Sequence, residues 1–136
     1  MTLREGLHAH IPFLTPESTV RDAVDKMDIY QFPVLIVVDE QQKPLGVITE
    51  GDICRHVTTG DNLVSMMSEP AINFASKEPT TAHPDTEISD AFHKMLSSGL
   101  TVLPVVEEER VIGLVMRMDL MQAMLMDAAS ANISPA

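Results

Sequence analysis

Apolar and polar positions trace one pattern twice along this chain. In "PESTVRDAVDKM" (16–27) apolar side chains fall at Val20, Ala23, Val24 and Met27, the spacing of one helical face. In "PDTEISDAFHKM" (84–95) they fall at Ile88, Ala91, Phe92 and Met95, and proline, Asp-Ala and Lys-Met coincide between the two stretches. Each stretch is followed by a β-branched run, "VLIVVDE" (34–40) or "VLPVVEE" (102–108). Such runs predict buried strands. One deletion later "PLGVITEGDI" (44–53) falls on "VIGLVMRMDL" (111–120). An acidic turn, "DEQQKP" or "EEER", separates the two strands of each copy.

Each copy opens with a short extended segment, 11–15 or 78–83, closed by Pro16 or Pro84. Ser18 or Thr86 is then the expected N-cap. Asp52 or Asp119 opens the last helix. The unit is therefore β-α-β-β-α, an α/β (α+β) class. One such unit leaves an open apolar side that is too small to be stable alone. Two repeats packed as one pseudo-twofold module are predicted. The expected boundaries are an N-terminal segment at 1–10, repeats at 11–58 and 78–127, an ordered linker at 59–77 and a flexible tail at 128–136. Val64, Met66 and Met67 suggest a helical turn within the linker.

Composition narrows the function classes. The formal net charge of −11, with nine basic residues, argues against nucleic-acid backbones and anionic lipid, which clustered Lys and Arg recognise. No apolar run nears the roughly 20 residues that span a bilayer, and "MTLREGLHAH" has no signal-like apolar core, so a cytoplasmic address is expected. The single cysteine, Cys54, reads as a small buried helix residue. No Ser-His-Asp ordering, Gly-rich P-loop or CxxC is present, so no enzyme is expected. His8 and His10 read as a solvated terminus rather than metal ligands, and no metal site is expected. Five of the ten methionines lie between 116 and 126; Met121, Met124 and Leu125 share a face with Leu120, as core or interface packing.

"GVITEGDI" (46–53) carries the chemistry. A carboxylate can accept from two hydroxyls at once, which suits a vicinal diol, and a threonine hydroxyl with the N–H groups of a helix start suits an anion. Thr49 and Asp52 thus read as a clamp for a ribose-phosphate; the plainer alternative is that both cap the helix. In the second copy Asp119 persists but Met116 replaces the threonine. A thioether donates no hydrogen bond. Losing that donor costs about ten- to a hundredfold in affinity, so the Asp52 site is the expected primary one.

The tandem β-α-β-β-α unit with an apolar-Gly-apolar-apolar-Thr/Ser-x-x-Asp signature resembles the cystathionine-β-synthase (CBS) domain pair, or Bateman module, over about residues 11–126. The resemblance implies two units packed through their strands, with symmetry-related clefts that take AMP, ADP, ATP or S-adenosylmethionine, AMP foremost. It implies that Asp52, and more weakly Asp119, grips the ribose while Thr49 meets phosphate. Leu14–Thr15 and Ala82–His83 are implied as adenine contacts, with Val34, Leu35, Leu103 and Pro104 as walls. Arg55 (with His56 beside it) and Arg117 are candidate phosphate cations. No cofactor is required. A homodimer through helix faces and a separate effector protein are the implied partners. The function expected is a regulatory sensor of an adenosine-type ligand; the alternative is an interaction module with a vestigial cleft.

Overall fold

The computed structural model describes residues 1–57 and 63–133. The chain divides into two compact units, one of His10–Pro79 with Glu109–Val111, the other of Met1–Ala9, Thr80–Glu108 and Ile112–Ala136. Among the described residues no helix is long and apolar enough to cross a membrane.

The first unit runs β1 (Phe13–Leu14), α1 (Val20–Tyr30), β2 (Val34–Val38), β3 (Pro44–Thr49), α2 (Glu50–Val57), α3 (Leu63–Met67) and β4 (Ser76–Lys77). All five residues of β2 are buried, as befits a central strand covered on both faces. β1 lies parallel to it (Leu14 opposite Val37), and β3 antiparallel (Val34 opposite Thr49). β4 then pairs with β3 at Gly46 and Val47. The expected linker thus supplies the fourth strand, a helix and a 3-10 turn at Ala71–Phe74. Its first residues, and the repeat boundary at 58/59, lie outside the described residues. Leu14, Val20, Ala23, Leu35, Val37, Ile48 and Ile53 form the core of this unit.

The N-cap of α1 is Thr19, one residue beyond the expected Ser18. Thr19 takes the N–H of Asp22 while Asp22 takes the N–H of Thr19, a reciprocal box that satisfies two otherwise unpaired donors. Ser18 instead closes the preceding turn by accepting from Thr15 N–H. Cys54 is exposed rather than buried. α2 buries the adjacent Asp52 and Ile53, and at about 100° per residue the next side chain turns outward.

The second unit runs α4 (Ile88–Ser98), β5 (Val102–Glu107), β6 (Arg110–Met116, whose first two residues belong to the first unit) and α5 (Arg117–Ile133). The expected strand at 78–83 shrinks to a single parallel bridge, Ala82 to Val105, with Ala82 N–H donating to Pro104 O and Val106 N–H to Ala82 O. Pro79 has no donor and Glu78 holds φ 52°, so the segment cannot extend the ladder. Thr86 does not cap α4; the capping position is Glu87, without a side-chain bond, and Ile88 N–H donates to Met1 O instead. The N-terminal segment is structural here. Leu3 is wholly buried and packs with Ile88, Ala91, Met95, Leu103, Val105, Val115 and Leu120. α5 continues to Ile133, past residue 127 where a flexible tail was expected; residues 134–136 lie outside the described residues. Leu120 is buried, whereas Met121, Met124 and Leu125 are exposed. The methionine stripe is therefore surface, not core, within this chain.

Candidate ligand site

β3 ends at Thr49 and α2 starts at Glu50, so the motif turns from strand to helix with no intervening loop. Glu50 N–H donates to Pro33 O at 2.9 Å, which fixes the corner against the start of β2. Within it Thr49 N–H donates to Asp52 Oδ2 at 2.8 Å, and Asp52 N–H donates to Thr49 Oγ1 at 3.1 Å. Arg55, one turn along α2, donates to Asp52 Oδ1, and His56 Nδ1 lies 2.8 Å from Asp52 O. His56 also meets Phe74 edge-on, with centroids 4.8 Å apart. Among the described residues Asp52 is the one buried charged side chain, at 8% exposure.

A buried carboxylate costs several kcal/mol unless paired. Here each oxygen has one protein partner, and each oxygen keeps a further acceptor position. The Thr49 hydroxyl accepts from Asp52 and retains its own proton to donate. The corner can therefore still offer two acceptors and one donor, beside a guanidinium that balances an added anion.

The second copy is built differently. Met116 N–H donates to Asp119 Oδ2 at 2.8 Å, but residue 116 brings no hydroxyl to return the bond. The other oxygen, Oδ1, lies 2.9 Å from His8 Nε2. The Arg55 counterpart is absent, since the residue three after Asp119 is Gln122. His8, expected as part of a solvated terminus, is instead bonded to the aspartate of the second motif. The repeat held the signal: His8 stands as far before Pro16 as Ser76 stands before the matching Pro84. Ser76 pairs with β3 and His8 bridges β6 at Leu114.

The remaining sequence candidates separate by exposure. Leu14, Leu35 and Leu103 have no accessible surface, and Val34 and Pro104 are buried. Their side chains are core, both that of Leu14, an expected adenine contact, and those of the four expected wall residues. Thr15 is exposed and its N–H donates to Ser18 Oγ. Ala82 is half-buried, and His83 is exposed with Nδ1 accepting from Asp85 N–H. Arg117 is exposed at the first position of α5.

Two further features lie apart from these motifs. His83, Asp85 and Glu107 place ligand atoms within 4.8 Å of one another. Arg4 already holds both carboxylates, at 3.0 Å from Asp85 Oδ1 and 2.7 Å from Glu107 Oε2. Its charge lowers the Glu107 carboxyl below the usual range, chiefly through that hydrogen bond, and so fills the place of a cation. A groove of about 450 Å³ between α1 and α2 is lined by Val24, Met27, Phe32, Pro33, Ile53 and Cys54 among others, but by neither Thr49 nor Asp52.

The family model of the CBS domain matches residues 7–59 and 71–126. The chain belongs to the CBS domain family. Its two CBS copies resemble an uncharacterised 17.7 kDa protein of Acidianus ambivalens, 30% identical over 111 residues, which are 81% of this chain and 65% of that protein. Inosine-5'-monophosphate dehydrogenase of Methanocaldococcus jannaschii is 26% identical over 110 residues, 80% of this chain and 21% of the enzyme. The chain therefore spans about two thirds of the first relative and a fifth of the second. Among solved structures, CBSX2 in complex with AMP superposes with a TM-score of 0.81 at 21% identity, covering 93% of this chain and 98% of that one. The CBS domains of a transcriptional regulator from Streptococcus pneumoniae superpose at 0.74 and 22% identity, covering 90% and 98%. At these identities the likeness establishes the fold: mixed α/β, a tandem CBS pair.

Proposed function

We propose that this CBS pair is a regulatory module that binds an adenosine-type ligand through Thr49 and Asp52 and reports its occupancy to a separate effector. The observation that carries the reading is the buried Asp52 carboxylate at an unbroken strand–helix corner, with a threonine N–H and Arg55 already converging on it. Such a corner accepts from ribose hydroxyls and faces phosphate with the Thr49 hydroxyl. The AMP bound by a chain of the same fold, CBSX2, supports the ligand class and favours AMP over ADP, ATP or S-adenosylmethionine. Sparse positive charge also favours a monophosphate. Occupancy acts by stabilising one conformation over another through differential affinity. The exposed apolar faces of α5 and α1, including Met121, Leu125 and Ile29, suit a homodimer through helices, and the acidic, reduced-cysteine composition suits the cytoplasm.

The test is calorimetric titration of AMP into wild type and Asp52→Asn, with melting temperatures of both without ligand. The expected result is an affinity loss of about ten- to a hundredfold, with an unliganded stability loss of only about 1 kcal/mol from the weakened cap. Undiminished affinity in the variant overturns the reading. A second reading has its own support: Thr49 and Asp52 satisfy each other as a capping box, so the corner is stable with nothing bound. On that reading the module serves interaction alone. None of AMP, ADP, ATP or S-adenosylmethionine would then raise the melting temperature, whereas a working site at a hundredfold excess over Kd adds about 2.7 kcal/mol.

A further inference from the structure

We propose that the second motif is a latent ligand site held shut by His8. The inference rests on the reading above that an aspartate of this motif is a ligand-binding carboxylate. It concerns Asp119 rather than Asp52. Asp119 Oδ2 accepts from Met116 N–H at 2.8 Å, and Oδ1 lies 2.9 Å from His8 Nε2. The imidazole therefore lies against the oxygen that a hydroxyl of an incoming ligand would otherwise reach.

The contact is built in, not incidental to a loose terminus. His8 N–H donates to Leu114 O at 2.9 Å and Leu114 N–H donates to His8 O at 3.1 Å. The segment is anchored upstream by the wholly buried Leu3 and by Arg4, which spans Asp85 and Glu107. Gly113 makes the seat, for a Cβ there would lie 2.4 Å from His8 O. With its backbone pinned on both sides, the His8 side chain is delivered to Asp119 at little entropic cost, and a ligand must displace it. The first motif differs in kind. Its carboxylate partner, Arg55, lies on the same helix as Asp52, at the end of a long side chain. His8 has two side-chain torsions and a fixed backbone, so it blocks rather than assists.

Removing the imidazole while keeping the strand should expose the site. The measurement is titration of AMP into wild type, His8→Ala and His8→Ala/Asp119→Ala. His8→Ala is expected to bind AMP at a second site, or to tighten that site by about ten- to a hundredfold, and the double variant is expected to lose the gain. A His8→Ala protein that binds AMP as wild type does overturns the proposal, as does a gain that survives Asp119→Ala. Should His8→Ala fail to fold, His8→Asn keeps a polar side chain on the strand but falls short of Asp119, and its titration is read the same way. The result is separate from the fate of the first site. If wild type binds no AMP, the Asp52 reading fails, while a site gained in His8→Ala and lost with Asp119 still supports the latch and no gain still overturns it.

Discussion

Gly46 and Gly113 occupy the same place in the two copies, and each sits under a crossing backbone segment, yet the clearances differ. At Gly46 an added Cβ would meet Ala75 Cβ and Ser76 O at 3.1 Å, so its neighbours need to give by only a few tenths of an ångström. At Gly113 it would meet His8 O at 2.4 Å and Leu7 Cδ1 at 2.5 Å. Carbon contacts are comfortable near 3.5–4.0 Å, so the segment carrying His8 must lift by about 1 Å. That strains both backbone bonds between His8 and Leu114, together worth about 2 kcal/mol. Overpacking of the crowded seat adds about 1–2 kcal/mol. Neither glycine has a positive φ, so alanine recovers about 0.5–1 kcal/mol of chain entropy at both. The expected net loss is about 2–3 kcal/mol for Gly113→Ala and under about 1 kcal/mol for Gly46→Ala. Equilibrium urea unfolding followed by circular dichroism measures both, provided the denaturant slope is unchanged. Equal losses, or a larger one at Gly46, would refute the close seating of the N-terminal segment on β6.

Two other outcomes follow from the second unit. The β5–β6 turn places Glu108 at φ 52° and Glu109 at φ 67°, a conformation that Asn-Gly adopts without strain; Glu108→Asn/Glu109→Gly should add about 1 kcal/mol, read as a rise of roughly 4 °C in melting temperature. Arg4 holds the Glu107 carboxyl below its ordinary value of 4.5, so the native state binds fewer protons there than the unfolded chain does. Its contribution is therefore present above about pH 4.5 and lost as pH falls through the lowered native value. The stability gap between wild type and Glu107→Gln should be constant at neutral pH and close on acidification, whereas a pH-independent gap would contradict the pairing.

Elements whose cause is local were legible in the sequence. The helical spacing of Val20, Ala23 and Met27 and the β-branched run Val34–Val38 produced the elements their periods imply, because each buries its own apolar face. The duplicated motif likewise led to the right family. What escaped depends on tertiary partners. A two-residue strand such as β4 has no period of its own; it exists because β3 offers an unpaired edge and Gly46 lets Ser76 approach. Cap positions slipped by one residue: Ser18 and Thr19 offer the same hydroxyl, but Ser18 Oγ is taken by Thr15 N–H while Thr19, at φ −88° and ψ 168°, caps the helix. Leu14 was placed as an adenine contact and Val34, Leu35, Leu103 and Pro104 as walls; all five are buried, since depth in a sheet is set by what covers it.

The candidate site follows the same division, and there it bears on function. Thr49, Asp52 and Arg55 lie within seven consecutive residues, and their mutual bonds follow from helix geometry: residues three apart share a face. The first corner is thus specified by its own sequence and can rearrange within it. The second corner lost both local partners, its threonine to Met116 and its arginine to Gln122. A half-buried carboxylate left with one backbone donor would be under-satisfied, and the chain supplies the second partner from His8, 111 residues away. Met116 alone argues for a weakened second site. Met116 together with a fixed imidazole argues for something stronger, since the ring that bonds Asp119 in the unliganded chain stands beside the oxygen a ligand hydroxyl has to reach.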